Sequence, residues 1–183
     1  VASTYTSNNN TGAVYVFDTY GNELYKLLAS DGSQNHYYGL SIAIGNGRIV
    51  VGAPGANNFV GKAYLYDLNG EELKVITPSN GAQNDVFGYF AASIGNDYLA
   101  IGAYSAPGGT GKGNVYLYDL DGEEVTVLTG NSVVNGSFYG LSCALGNDKL
   151  VVGAPSHDGQ RGRIFTYELV ETHNSYWENI INS

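Results

Sequence analysis

The chain has 183 residues, 43% hydrophobic and 14% charged, with 26 glycines, 16 tyrosines and a formal net charge of −9. That acidic excess, with no basic patch to offset it, disfavours a nucleic-acid backbone or an anionic membrane surface as partner. No apolar run approaches the roughly 20 residues of a membrane span, and the single cysteine, Cys143, allows no intrachain disulfide.

Glycine, aromatic and β-branched residues together predict an all-β protein. In chain order, "VAST" at Val1 aligns with a later "VGAP" and reads as the end of a strand. The polar stretch Ser7–Asn10 follows, then "VYVFDTYGNE" from Val14. "YYGLSIAIGNGRIVVGAP" from Tyr37 and "AYLYDLNGEE" from Ala63 come next. The same pair of phrases returns as "VFGYFAASIGNDYLAIGAY" from Val86 with "VYLYDLDGEE" from Val115. It returns again as "FYGLSCALGNDKLVVGAP" from Phe138 with "IFTYELVE" from Ile164. Asp18, Asp67, Asp119 and Glu168 hold equivalent places, at spacings of 49, 52 and 49 residues. A period near 50 built from short strands belongs to propeller-like arrays.

Each period divides into four strands. Strand A is of the "LSIAI" type, B of "RIVVGA", C of "AYLYD" and D of "EELKVI". Tight turns, "GNG" or "GND" and "LNG" or "LDG", join A to B and C to D, because Asn, Asp and Gly tolerate the positive φ that such hairpins need. Longer polar segments join B to C and D to A. Antiparallel order puts the tight turns on one face and the long segments on the other. Strands A and B are apolar nearly throughout, as strands covered on both sides are. Strand D is polar, as an outer strand is. The resulting expectation is four-stranded antiparallel blades with A nearest the axis. A partial blade covers 1–30, full blades cover 38–78 and 87–129, and a partial blade covers 139–170. Residues 171–183 form a tail outside the repeat. One extra residue between Gly88 and Gly95 reads as a β-bulge.

An aromatic–glycine pair precedes each strand A: Tyr38–Gly39, Phe87–Gly88 and Tyr139–Gly140. Gly-Ala-Pro ends strand B at Gly52–Pro54 and Gly153–Pro155, with Gly102-Ala103-Tyr104 as a degenerate copy. These residues resemble the FG-GAP repeat, the blade of the integrin α-subunit propeller, over about Val1 to Val170. The resemblance implies a non-catalytic propeller scaffold. The family often binds calcium in the A–B turn through alternating aspartates. Here those turns are "GNGR", "GNDY" and "GNDK", each with at most one carboxylate, while calcium takes six to eight oxygens. The expectation is therefore no calcium and no cofactor. "YDLDGEE" reads as a hairpin. Its style, with "TPSNGAQNDVFG", also resembles repeats in marine phage and bacterial surface proteins.

Three A strands against four C strands leave the array incomplete. A longer parent chain, closure by the tail "THNSYWENIINS" as a last strand D, and completion by neighbouring subunits are the alternatives. The lack of any methionine fits a processed product or a piece of a longer polypeptide. "GNGRIVVG" is not GxGxxG, since Val50 stands where the third glycine belongs, and "SAPGGTGKGN" lacks the first glycine and the Ser/Thr of a P-loop. His36, His157 and His173 have no metal-ligand spacing. Cys143 reads as a small core residue. The chain is thus expected not to be an enzyme. It is expected to be a binding or structural module on a virion or outside the cell. Its partners would be proteins, copies of itself, or glycans as a lectin. The candidate contact residues lie in the long segments: His36, Tyr37, Asn57, Asn58, Phe59, Asp85, Tyr104–Pro107, and His157, Asp158 and Arg161. Trp177 is assigned to docking.

Overall fold

The computed structural model describes residues 1–90, 92–146, 148–170 and 176–180. Its fifteen strands form four separate antiparallel sheets. The first holds β1 (Ala2–Ser3), β2 (Val14–Phe17) and β3 (Glu23–Leu27). The second holds β4 (Ile42–Gly45), β5 (Arg48–Ala53), β6 (Lys62–Asp67) and β7 (Glu72–Ile76). The third holds β8 (Ala92–Ile94), β9 (Tyr98–Ala103), β10 (Asn114–Asp119) and β11 (Glu124–Leu128). The fourth holds β12 (Ser142–Leu145), β13 (Lys149–Ala154), β14 (Arg163–Val170) and β15 (Tyr176–Ile180). Every sheet is a meander in chain order, which is the expected blade.

Short local signals set each hairpin. Asn46 and Gly47, both at positive φ (44° and 74°), turn β4 into β5 as a primed turn requires. The repeated aspartate of strand C caps the C–D turn. Asp18 Oδ1 accepts the N–H groups of Tyr20 and Asn22, Asp67 Oδ1 those of Asn69 and Glu71, and Asp119 Oδ1 those of Asp121 and Glu123, all between 2.8 and 3.0 Å. These aspartates are hairpin caps, so "YDLDGEE" is a turn. A register shift recurs beside that turn in three blades, after Val16, Leu65 and Leu117.

Two readings are adjusted by the register. Ala2 pairs with Tyr15 and Ser3 with Val14, whereas Val51 pairs with Tyr64 and Gly52 with Ala63. Ser3, not Ala2, therefore stands in the place of Gly52, one residue from the alignment of "VAST" with "VGAP". The extra residue of the third blade falls between Gly88 and Ala92, ahead of a regular ladder from Ala92 to Ile94. It lengthens the approach to strand A rather than bulging the strand. The tail expected outside the repeat instead supplies β15, which pairs with β14 and makes the fourth sheet four-stranded, with β15 in the place of strand D.

Three buried clusters each join consecutive sheets. Strand C tyrosines lie in these clusters. Tyr38 of the aromatic–glycine pair is fully buried and its hydroxyl donates to that of Tyr66 at 2.9 Å; Tyr139 does the same to Tyr167 at 2.8 Å. Each such ring contributes roughly 1.5–3 kcal/mol by leaving water. Strand A of the third sheet, β8, lies against strand A of the second, β4, and of the fourth, β12. Outer strands are clasped as well: Ser30 Oγ donates to Glu72 and Ser79 Oγ to Glu124, both at 2.6 Å.

Candidate functional site

The long B–C segments carry an unusual backbone. Three of them fold into single helical turns, α1 (Ser7–Asn10), α2 (Ala56–Phe59) and α3 (His157–Gln160). These turns are left-handed. Asn57 and Asn58 have φ/ψ of 51°/50° and 56°/47°, and Phe59 follows at φ 64°. Asn8, Asn9 and Asn10, and Asp158, Gly159 and Gln160, do likewise. Asn, Asp and Gly enter this region at little cost, but a residue such as Phe59 gives up roughly 1–2 kcal/mol there.

The next blade holds the turn in place. The carbonyl of Phe59 accepts the N–H of Val86 at 2.9 Å, and that of Val60 accepts the N–H of Phe87 at 3.0 Å. Asn10 and Thr11 accept from Tyr37 and Tyr38, and Gly111 and Lys112 from Phe138 and Tyr139, in the same way. Gly61 sits at the crossing with φ 93°, and a Cβ there would run into the Phe87 carbonyl. Two hydrogen bonds, each worth about 1 kcal/mol net, plus the buried Phe87 ring outweigh the strain at Phe59.

Held in this way, the long-loop face forms a cleft of about 350 Å³ lined by Tyr5, Tyr37, Leu40, Pro54, Phe59, Tyr89 and Phe90. Five of these seven are aromatic, and none is charged. Tyr37 and Phe59 lie 6.4 Å apart between ring centres. Phe59 is 41% and Phe90 59% exposed. Tyr89 packs edge-on against Phe90 at 4.3 Å and Tyr104 at 5.2 Å, and Tyr104 meets Phe138 at 5.7 Å. A belt of rings thus leads out of the cleft across the third blade. Burial, with the Tyr89 hydroxyl as second cause, pushes the Tyr104 hydroxyl above its ordinary pKa, so it remains a neutral donor.

Of the residues singled out in the sequence, the structure brings together Tyr37 and Phe59 in the cleft, with Tyr104 joined through Tyr89. Asn58 is exposed on the α2 turn. His36 is half-buried beside it: its Nδ1 accepts the N–H of Ser33 at 3.3 Å, and burial lowers its pKa against the opposing pull of Asp31. His157 and Asp158 do not act as a pair. His157 Nε2 lies 3.2 Å from the Ser132 carbonyl, while Asp158 pairs with Arg161 at 3.5 Å on the surface. All three belong to the fourth blade, outside the cleft lining.

Asp85 is corrected. It is 1% exposed, and its carboxylate is filled by backbone donors, the N–H of Ala82 at 2.8 Å and that of Gly108 at 2.5 Å. It clamps two long segments together and is not presented to a partner. The side chain of Trp177, and His173, lie outside the described residues. Tyr5, Leu40, Pro54, Tyr89 and Phe90 were not singled out in the sequence. Tyr5 stands where Pro54 stands in the next blade, and Phe90 belongs to the lengthened approach to β8. The extra residue beside Phe90 was visible in the sequence, whereas the place of Tyr5 follows from the β1–β2 register.

Among the described residues no group of three or more His, Cys, Asp or Glu is placed to hold a metal ion. Nor is any helix among them long and apolar enough to cross a membrane. Cys143 Sγ lies 3.8 Å from the Ala100 carbonyl, and burial pushes its thiol up to about 12. That is no nucleophile at neutral pH.

Four meandering sheets stacked through aromatic–glycine junctions define a bladed repeat scaffold. The chain belongs to the FG-GAP repeat family, whose model matches residues 22–66 and 71–118, together just over half of its length. Each matched unit runs from strand D of one blade through strand C of the next, so each contains one junction. Among curated proteins, none matches the chain.

Proposed function

We propose that this protein is a binding and structural module of a virion or extracellular surface. It presents its long-loop face to other chains and assembles with them. The observation that carries this reading is the uncharged aromatic cleft, held open by strained turns that the blade junctions fix. Strain retained at an exposed apolar residue is more often a feature of recognition than of folding. The long loops supply contact area, and the blades supply rigidity, so little ordering entropy is lost on binding. Surface plasmon resonance against the neighbouring proteins of the source particle or cell envelope tests it. Binding that is lost in Phe59→Ala and Phe90→Ala supports the reading. Binding unchanged in both would count against it.

The cleft also favours a second reading, a lectin for neutral sugars. Aromatic rings with phenolic hydroxyls and no charged side chain suit the apolar face and hydroxyl edge of a pyranose. A glycan array separates the two. Neutral glycans retained by the wild type and lost in Phe59→Ala support the lectin, and an empty array leaves the protein partner.

A further inference from the structure

The two faces of each blade are unlike, and among the described residues one of each kind has no blade against it. At the internal junctions the forward face offers small or aliphatic side chains: Val50, Ala63 and Leu65 in the second sheet, and Ala100, Val115 and Leu117 in the third, all fully buried. The backward face offers rings from strand C, Tyr64 and Tyr66, Tyr116 and Tyr118, or Phe165 and Tyr167, also buried. In the fourth sheet the forward positions fall on Val151 and Ile164, which are 39% and 69% exposed, and on Thr166, a half-buried polar residue in the place of Leu65 and Leu117. In the first sheet the backward positions fall on Tyr15 and Phe17, and Phe17 is 37% exposed. Among the described residues, no buried cluster joins the fourth sheet to the first.

We propose that the forward face of the fourth blade docks the backward face of the first blade in a second copy of this chain. The occupant is indicated by continuity with the three internal junctions, each of which sets strand C rings of one blade on aliphatic residues of the blade before. The chain carries strand C rings and aliphatic residues in the places a fourth such junction would use, although its first sheet has no strand A. Phe17 of one copy stands where Tyr66, Tyr118 and Tyr167 stand, and Val151 and Ile164 of the other stand where Val50 and Ala63 do. The contact joins unlike surfaces, so it is head-to-tail and leaves a free face at each end of a dimer. Each copy carries a net charge of −9, so added salt strengthens the contact by screening their repulsion. The inference rests on the reading that the module assembles with other chains, but not on the cleft.

Light scattering and sedimentation of the full chain test it. The wild type should associate with rising concentration, and more so at 0.5 M than at about 0.05 M salt. Ile164→Glu and Phe17→Glu, each folded by circular dichroism, should each weaken association at least tenfold. Val151→Lys serves the same face should Ile164→Glu fail to fold. The two glutamate variants mixed in equal amounts should form a dimer and stop, because one still has a working first blade and the other a working fourth. A wild type that stays monomeric at every concentration overturns the proposal, as does a mixture that does not pair. A monomer that keeps its Phe59-dependent binding leaves the proposed function standing and removes this inference alone.

Discussion

The carbonyl of Phe59 accepts the N–H of Val86 across a blade junction at 2.9 Å, and both residues hold positive φ, 64° and 54°. Asn10 with Tyr37 and Gly111 with Phe138 repeat the arrangement. Each of these three junctions therefore joins two left-handed residues.

Gly61 lies at the centre of that relationship. Gly61→Ala places a methyl group against the Phe87 carbonyl at a φ that L-residues resist. It should cost about 2–4 kcal/mol, read as a lowered urea midpoint with an unchanged slope. Gly12→Ala and Gly113→Ala, at the same place in the first and third blades, should behave alike.

Phe59 trades stability for exposure. Phe59→Asn puts a residue tolerant of left-handed backbone at the third position of the turn, as Asn10 already is. Unfolding stability should rise by about 0.5–1 kcal/mol, while recognition through the cleft is lost. A variant that loses both would show that the ring supports the loop rather than a ligand.

Acid should loosen the hairpins. The backbone N–H of Glu71, ahead of the bonds from Asn69, holds the Asp67 carboxyl below its usual value of 3.8; the Asn22 side chain does the same foremost for Asp18. A lowered folded-state pKa means stability that is present above the unfolded value and fades as pH falls through the folded one. Urea midpoints should fall below pH ~4, with a shallower fall in Asp67→Ala.

Cys143 should be silent. With its thiol pushed up to about 12 by burial, native protein should react with an alkylating reagent at pH 8 on the order of a hundredfold slower than unfolded protein. Labelling followed by mass measurement gives both rates.

The strands were legible because a local period, apolar in A and B and alternating in C, is sufficient to specify them. Asp18, Asp67 and Asp119 were legible as hairpin residues for the same reason, since their partners lie two to four residues away. The cleft was only half legible. Tyr37 and Phe59 were visible as aromatics among polar residues. Their meeting depends on junction hydrogen bonds between residues 27 apart, such as Phe59 to Val86, which no local pattern encodes. Asp85 misled because an acid in a polar segment reads as exposed. Its burial depends on the Gly108 N–H, 23 residues on. The first strand slipped by one because "VAST" and "VGAP" match in letter pattern while the pairing partner, not the pattern, sets register.

The left-handed turns have a consequence for change over time. Their first two left-handed positions carry Asn-Asn, Asn-Asn and Asp-Gly, which tolerate that backbone, while the third carries Asn10, Phe59 or Gln160, three chemistries at one backbone position. The contact surface can therefore be rewritten at that third position without redrawing the loop. A lineage, or a selection experiment, could vary what this face grips while the frame that holds it stays the same.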